Sequence, residues 1–248
     1  MIRREGLIRW LVLAGLLLAW ELFSRIAALP VLPPPARVLA VLWGHLVSGE
    51  LPEHLGITLL RVGAAFTISL AVGAAIGIVM GRRTLIDQLF DGLLVLGLNI
   101  PALVTIILCY IWFGLTEAAA VTAVALNKIP TVAVTMREGA RDLDTRLLQV
   151  ADAFRLPAWR RFRRVFLPQL YPYLMASARS GLALIWKIVL VVELLGRSDG
   201  IGFQLGTFFH FFDIAGILAY TLAFASLIYL IEAFVMRPID RVLAERRA

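Results

Sequence analysis

Residues 57–80 read ITLLRVGAAFTISLAVGAAIGIVM, and comparable apolar runs recur near 7–28, 89–113, 117–136, 170–195 and 214–236. A hydrocarbon core about 30 Å thick takes roughly 20 residues of helix to cross, so each run is long enough to span a bilayer. A helix satisfies its own backbone groups in lipid, where water is absent, so the class is an all-α polytopic membrane protein with about six transmembrane helices. The composition agrees: 60% of the 248 residues are hydrophobic. The chain reads as one transmembrane domain over residues 1–248, with external loops at 30–56 and 196–213.

Six alternating spans sort the charge. Arg3, Arg4 and Arg9 precede the first span, Arg82 and Arg83 follow the second, eight arginines fill residues 137–168, and Arg237, Arg241, Arg246 and Arg247 follow the last. Those positions hold 17 of the 24 basic residues on one side, against Arg25, Arg37, Arg61 and Arg197 on the other. Positive-inside bias then puts both termini in the cytoplasm. The +7 net charge is therefore a topology signal, and no basic-aromatic surface for nucleic acid is present. The first apolar run lacks a small-x-small cleavage site and reads as a retained anchor, not a signal peptide. Cys109 is the one cysteine, so there is no disulfide framework.

Between spans the prolines and glycines mark turns. Pro30, Pro33, Pro34 and Pro35 begin an ordered external turn, followed by an amphipathic piece at about 36–48. Ser69, Gly73, Gly77 and Gly81 recur every four residues along span two, a stripe of small residues for close helix packing. Pro101 and Pro130 are expected to interrupt spans three and four. GRSDGIGFQLGTFFHFFD, after span five, reads as a turn and a short helix at the outer interface.

Arginine-rich residues 137–168 cannot sit in hydrocarbon. Leu143, Leu147, Leu148, Ala151 and Phe154 fall on one helical face, opposite Asp142, Asp144, Arg146, Gln149 and Asp152. Asp142 or Asp144 is placed to cap this helix, which the residue before Pro157 is expected to end at Leu156. A second helix would start at Pro157, with Trp159, Phe162, Val165 and Phe166 on one side and Arg160, Arg161, Arg163 and Arg164 on the other, and stop at Pro168. The first helix, of mixed charge, suits a protein partner. The second fits a protein or an anionic lipid surface equally well.

The stretch LLQVADAFRLPAWRRFRRVFLP, residues 147–168, resembles the EAA loop of binding-protein-dependent ABC importer permeases of the type I fold, in particular the nitrate/sulfonate/taurine group. Arg179, Gly181, Trp186, Glu193-Leu194, the GIGF of 200–203, the LPPP of 32–35 and the IWFG of 111–114 extend the likeness over most of residues 30–236. The resemblance implies a cytoplasmic coupling helix within 137–168 that a separate ATPase grips at about 145–157, through Leu147, Leu148, Gln149, Ala151, Asp152, Phe154, Arg155 and Leu156. Two positions depart from the pattern: glutamate is expected at Gln149 and glycine at Arg155, where it would supply a left-handed helix cap.

The resemblance further implies a transporter subunit, not an enzyme, in a bacterial inner membrane. It would form a homodimer whose interface holds the pathway, with a cytoplasmic ATPase dimer and a periplasmic substrate-binding protein as partners. No phosphate-binding GxxxxGK[ST] motif occurs in the chain, so ATP and Mg²⁺ belong to the partner and no cofactor to this chain. A secondary transporter or an intramembrane enzyme, working without an ATPase, is the rival reading. Related halves with broken helices, or a nucleophile–base set, would favour it, and neither is visible.

Charges within spans need a partner or a wet path. Two readings stand. In one, Lys128 or Lys187 pairs with Glu193, or Lys187 snorkels outward. In the other, Asn127, Lys128, Trp186, Lys187 and Glu193 line a pathway for an anion, Glu193 also matching a family position of architectural role. The resembled family usually has apolar or small residues at Asn127, Lys128 and Lys187, so the two lysines are departures that fit an anionic cargo such as a sulfonate or carboxylate. His45, His54 and His210 have no metal-ligand spacing and read as interfacial packing.

Overall fold

The computed structural model describes residues 2–27, 29 and 31–236. Arg237, Arg241, Arg246 and Arg247, which enter the charge argument above, lie outside them. Eleven helices, with no strand among the described residues, follow in order: α1 (Ile2–Ala27), α2 (Pro35–Val47), α3 (Glu50–Arg82), α4 (Thr84–Asn99), α5 (Ala102–Phe113), α6 (Glu117–Arg141), α7 (Thr145–Ala153), α8 (Ala158–Arg161), α9 (Leu167–Gly196), α10 (Ile201–His210) and α11 (Ile214–Ile231). Two π-helical turns, Phe162–Phe166 and Glu232–Met236, continue α8 and α11.

Among the described residues, three helices are long and apolar enough to cross a bilayer: α3, α6 and Ile214–Phe234. The expected third span is instead two helices, α4 and α5, meeting at 99°, and adds a fourth crossing only if the bent pair counts as one. The break has a local cause. Pro101 holds Ile100 extended, at φ −69° and ψ 122°, and cannot donate to the turn before it. Pro130, expected to interrupt span four, lies inside an unbroken α6, where its ring packs against Gly97. α9 spans 30 residues, yet Arg179, Lys187 and Glu193 lie along it.

The chain divides into two compact units. The first, from Met1–Ile57 and Asp199–Ala248, packs α2 and α10 on α11 and holds a polar cluster under α10. There Gln204 Nε2 donates to Glu50 Oε1 at 3.0 Å and lies 2.7 Å from His54 Nε2, while the Gly200 N–H donates to His54 Nδ1 at 2.9 Å. His45 lies 2.7 Å from Glu50 and edge-on to Phe208 and Tyr220, so two of the three histidines are packed and bonded.

The second unit, Thr58–Ser198, is organised around α6. The small-residue stripe of α3 meets it directly: a Cβ on Gly73 would stand 2.6 Å from Val132 Cβ, one on Gly77 2.3 Å from the Ala133 carbonyl, and one on Gly81 2.5 Å from that of Arg137. On another side of α6, Gly139 admits Tyr173 of α9, where a Cβ would come within 2.4 Å of the ring. Val132, Met136, Ala140, Leu143 and Leu170 fill the apolar space between. In lipid, where apolar side chains gain little by leaving the solvent, such close backbone approach is the main source of helix adhesion.

Candidate functional site

Ionic groups gather at both ends of the second unit. At one end Arg61 of α3 reaches Glu193 of α9 at 2.8 Å and Glu117, at the start of α6, at 2.5 Å. Thr58 Oγ1 donates to both Glu193 oxygens, at 2.9 and 3.0 Å, and Arg197 joins Glu117 and the Leu115 carbonyl. Glu193 is wholly buried and Arg61 nearly so. At the other end Arg137 of α6 bonds Asp91 at 2.5 Å and Asp87 at 3.3 Å on α4, and Arg141 pairs with Asp87 and Glu138. From Glu117 to Arg137 is 20 residues of helix, about 30 Å, which matches the hydrocarbon thickness. The charged layers thus mark where a bilayer would end on this unit.

Lys128 stands about midway along α6 between them, 2% exposed, and its Nζ has no hydrogen-bond partner among the described residues. Its stem packs into the space left by Gly181 of α9, where a Cβ would stand 3.1 Å from Lys128 Cε. One turn along α9, Ser177 Oγ is likewise buried and unpartnered. The pairing of Lys128 with Glu193 that the sequence left open does not form, because Arg61 and Thr58 hold that carboxylate. Of the other residues expected along a pathway, Trp186 and Glu193 are buried, Asn127 half-buried and Lys187 exposed. Arg61 and Glu117 were not singled out from the sequence as a pair. The available signal was an arginine inside an otherwise apolar run, which at membrane depth requires a counter-charge.

Beyond the Arg137 layer comes the loop. Asp144 caps α7, its Oδ1 accepting from the Arg146 N–H at 2.8 Å, while Asp142 instead accepts from Tyr173 Oη at 2.7 Å. α7 ends at Ala153, not at the expected Leu156. Its close is a left-handed C-cap: Arg155 sits at φ +52°, the Leu156 N–H donates to the Ala151 carbonyl at 3.0 Å, and the Arg155 N–H to that of Asp152 at 2.9 Å. Arginine therefore occupies the backbone conformation for which glycine is the low-strain residue. Nor does the second helix stop at Pro168. α8 passes through the π turn into α9 with helical dihedrals throughout, so Pro168 lies inside a continuous helical run just past the π turn.

Only Ala151 of the coupling set is buried. Leu148 and Leu156 are half-buried, and Leu147, Gln149, Asp152, Phe154 and Arg155 are exposed, Phe154 at 77%. Leu147, Val150, Phe154, Leu156 and Val165 border an open apolar groove of about 510 Å³. An apolar face outside the bilayer layer, left uncovered by the described residues, has the form of a docking surface. Among the described residues no group of three or more His, Cys, Asp or Glu side chains is placed to hold a metal ion.

Residues 68–246 match the family model described as "Binding-protein-dependent transport system inner membrane component". The chain is 27% identical to a putative aliphatic sulfonates transport permease protein, SsuC, of Bacillus subtilis (strain 168), across 99% of this chain and 90% of that one. It is 31% identical to the Escherichia coli (strain K12) protein of that name, across 78% and 74%. The taurine transport system permease protein TauC of E. coli K12 is 25% identical over 89% and 82%. Among solved structures, an inward-facing MetNI methionine ABC transporter superposes with a TM-score of 0.63 at 17% identity, over 75% of this chain and 92% of that one, a likeness of fold.

Proposed function

The chain belongs to the family of binding-protein-dependent transport system inner membrane components, and from that premise we propose that it works as one of two identical permease subunits driven by a separate cytoplasmic ATPase dimer. It is a multi-pass membrane permease of the type I ABC importer class. In our reading α7 seats in the ATPase, whose nucleotide-driven closure is passed through the π turn into α9 and through Leu143 into α6. Both termini and the 137–168 loop face the cytoplasm, and ATP with Mg²⁺ acts on the partner chain. A periplasmic binding protein delivers the solute to the opposite end, near the Arg61 layer.

The cargo of this proposal is a small anion of the sulfonate or carboxylate class, in keeping with the names of the sulfonate and taurine relatives. Lys128 supports it from within the chain, as a lysine at mid-membrane depth whose Nζ has no hydrogen-bond partner among the described residues. A lysine held there costs about 2.5–3.5 kcal/mol on insertion scales, a cost that an anion passing near it would offset.

The observation that carries the coupling is the exposed apolar face of α7 with its groove. Two substitutions, Leu147→Asp and Phe154→Asp, test it. Both positions are exposed, so the permease should fold and insert unchanged, yet co-purify with its ATPase at least tenfold less and lose ATP-driven uptake. A permease that purifies as a lone monomer, indifferent to the ATPase in its unaltered form, contradicts the proposal.

A further inference from the structure

Only Asp142, Leu143 and Asp144 connect α6 to α7, and α9 holds this connection at both of its ends. Tyr173 Oη donates to Asp142 Oδ2 at 2.7 Å, and the Asp144 N–H donates to Gln169 Oε1 at 2.8 Å. Gln169 and Tyr173 stand four residues apart on α9, a spacing that puts them on one face, a turn apart. Leu143, between the two aspartates, is buried in one cluster with Leu170 of the same helix. Both holding side chains are themselves fixed. The Tyr173 ring fills the space that Gly139 leaves near the end of α6, and Gln169 Nε2 donates to the Val165 carbonyl in the π turn at 2.9 Å.

The held points are helix ends. Asp142 closes α6, its N–H donating to the Glu138 carbonyl at 3.0 Å, and Asp144 caps α7. At its other end α7 joins α9 through the Arg155 cap, α8 and the π turn, with Arg161 of α8 paired to Asp152. Side chains and main chain thus close a ring in which α7 is tied to α9 at both ends. A short helix held at one end swings about that end when pushed, whereas one held at both passes the push on, because hydrogen-bond networks and rigid helices are what carry coupling. We propose that Gln169 and Tyr173 are positioning residues that clamp the start of α7 to α9, so that a displacement of α7 moves α9 together with α6. The clamp rests on the reading of α7 as the ATPase-docked helix and deepens it: load leaves α7 at its start through these two side chains, as well as along the chain at its end.

The test uses the full chain in complex with its ATPase and follows amide hydrogen exchange with and without ATP plus vanadate, so no transported solute enters the measurement. In the unaltered complex nucleotide should change exchange both in α7 and in the first turns of α9. Loss of one hydrogen bond is worth roughly a two- to tenfold change. Tyr173→Phe removes only the hydroxyl, keeps the ring against Gly139 and lies away from the α7 groove, which Gln169 borders. It should lower the α9 response about twofold or more and leave that of α7 unchanged. Adding Gln169→Ala should lower the α9 response further, about fivefold or more in all. Gln169→Glu, which keeps an oxygen for the Asp144 N–H, should retain most of it. An undiminished α9 response in the double variant overturns the proposal. So does a loss of the α7 response in Tyr173→Phe, which would make the residue part of docking or local folding and not of transmission. Failure of the importer reading shows itself elsewhere, in the unaltered chain, as no bound ATPase or no nucleotide response in α7, and would take the clamp's role with it.

Discussion

Arg61 and Glu193 meet at 2.8 Å, the one 4% exposed and the other fully buried, across 132 residues of chain. Thr58 and Glu117 complete the cluster, so no member faces lipid as a bare charge. Removing one partner of a buried pair leaves the other uncompensated, a loss of about 3–5 kcal/mol. Glu193→Ala and Arg61→Ala should each lower the thermal unfolding midpoint in detergent sharply. The double variant should be less destabilised than the two losses summed. Simple additivity in that cycle would show that the pair does not act as a unit.

The α3–α6 seam makes a second prediction. Alanine normally favours a helix over glycine by about 1 kcal/mol. At Gly77 the added methyl would stand 2.3 Å from the Ala133 carbonyl, a contact that neither backbone can yield to cheaply. Gly77→Ala should therefore destabilise, whereas Gly63→Ala, with nothing within 4 Å, should be neutral or mildly stabilising. Comparing the two unfolding midpoints checks the sign at each site.

Arg155 offers a change in the opposite direction. A non-glycine residue in the left-handed region carries roughly 1–2 kcal/mol of strain. Arg155→Gly should slow amide exchange at Arg155 and Leu156, whose N–H groups make the cap, and leave the spans unaffected. Faster exchange there would mean that the arginine side chain stabilises the turn by more than its backbone strains it.

Lys128→Met keeps the stem and removes the ammonium. Because Nζ has no hydrogen-bond partner among the described residues, stability should rise, by about 1–4 kcal/mol if the replacement of buried charge elsewhere is a guide. ATP-driven uptake of an anionic solute should fall at least several-fold, a trade of function against stability. A variant both less stable and equally active would remove Lys128 from the pathway and make it a packing residue.

Much of the fold was legible because bilayer thickness translates directly into run length, and because glycines at four-residue spacing announce a packed stripe. Pro101 was legible as a break but not as a turn of 99°, since the angle depends on what α4 and α5 each pack against. Pro130 misled, because its ring fits beside Gly97 and the neighbours hold α6 continuous around it. The helices within 137–168 were legible from their residue pattern, while their ends were misplaced. Proline signals implied stops at Leu156 and Pro168, but the chain used a left-handed arginine at the first and a π turn near the second.

Taken alone, the order of residues determined that this chain lives in a membrane, how many apolar runs it has, and that one arginine-rich segment must stay outside the lipid. These follow from transfer energies and helix rise, which are local quantities. Which charges neutralise one another was decided only by the packed helices. Glu193 could have served Lys128, Lys187 or Arg61, and the closeness of α3 and α9 at one end of the unit gave it to Arg61. Among the described residues Lys128 Nζ is left without a partner beside Gly181, where α9 presents no acid.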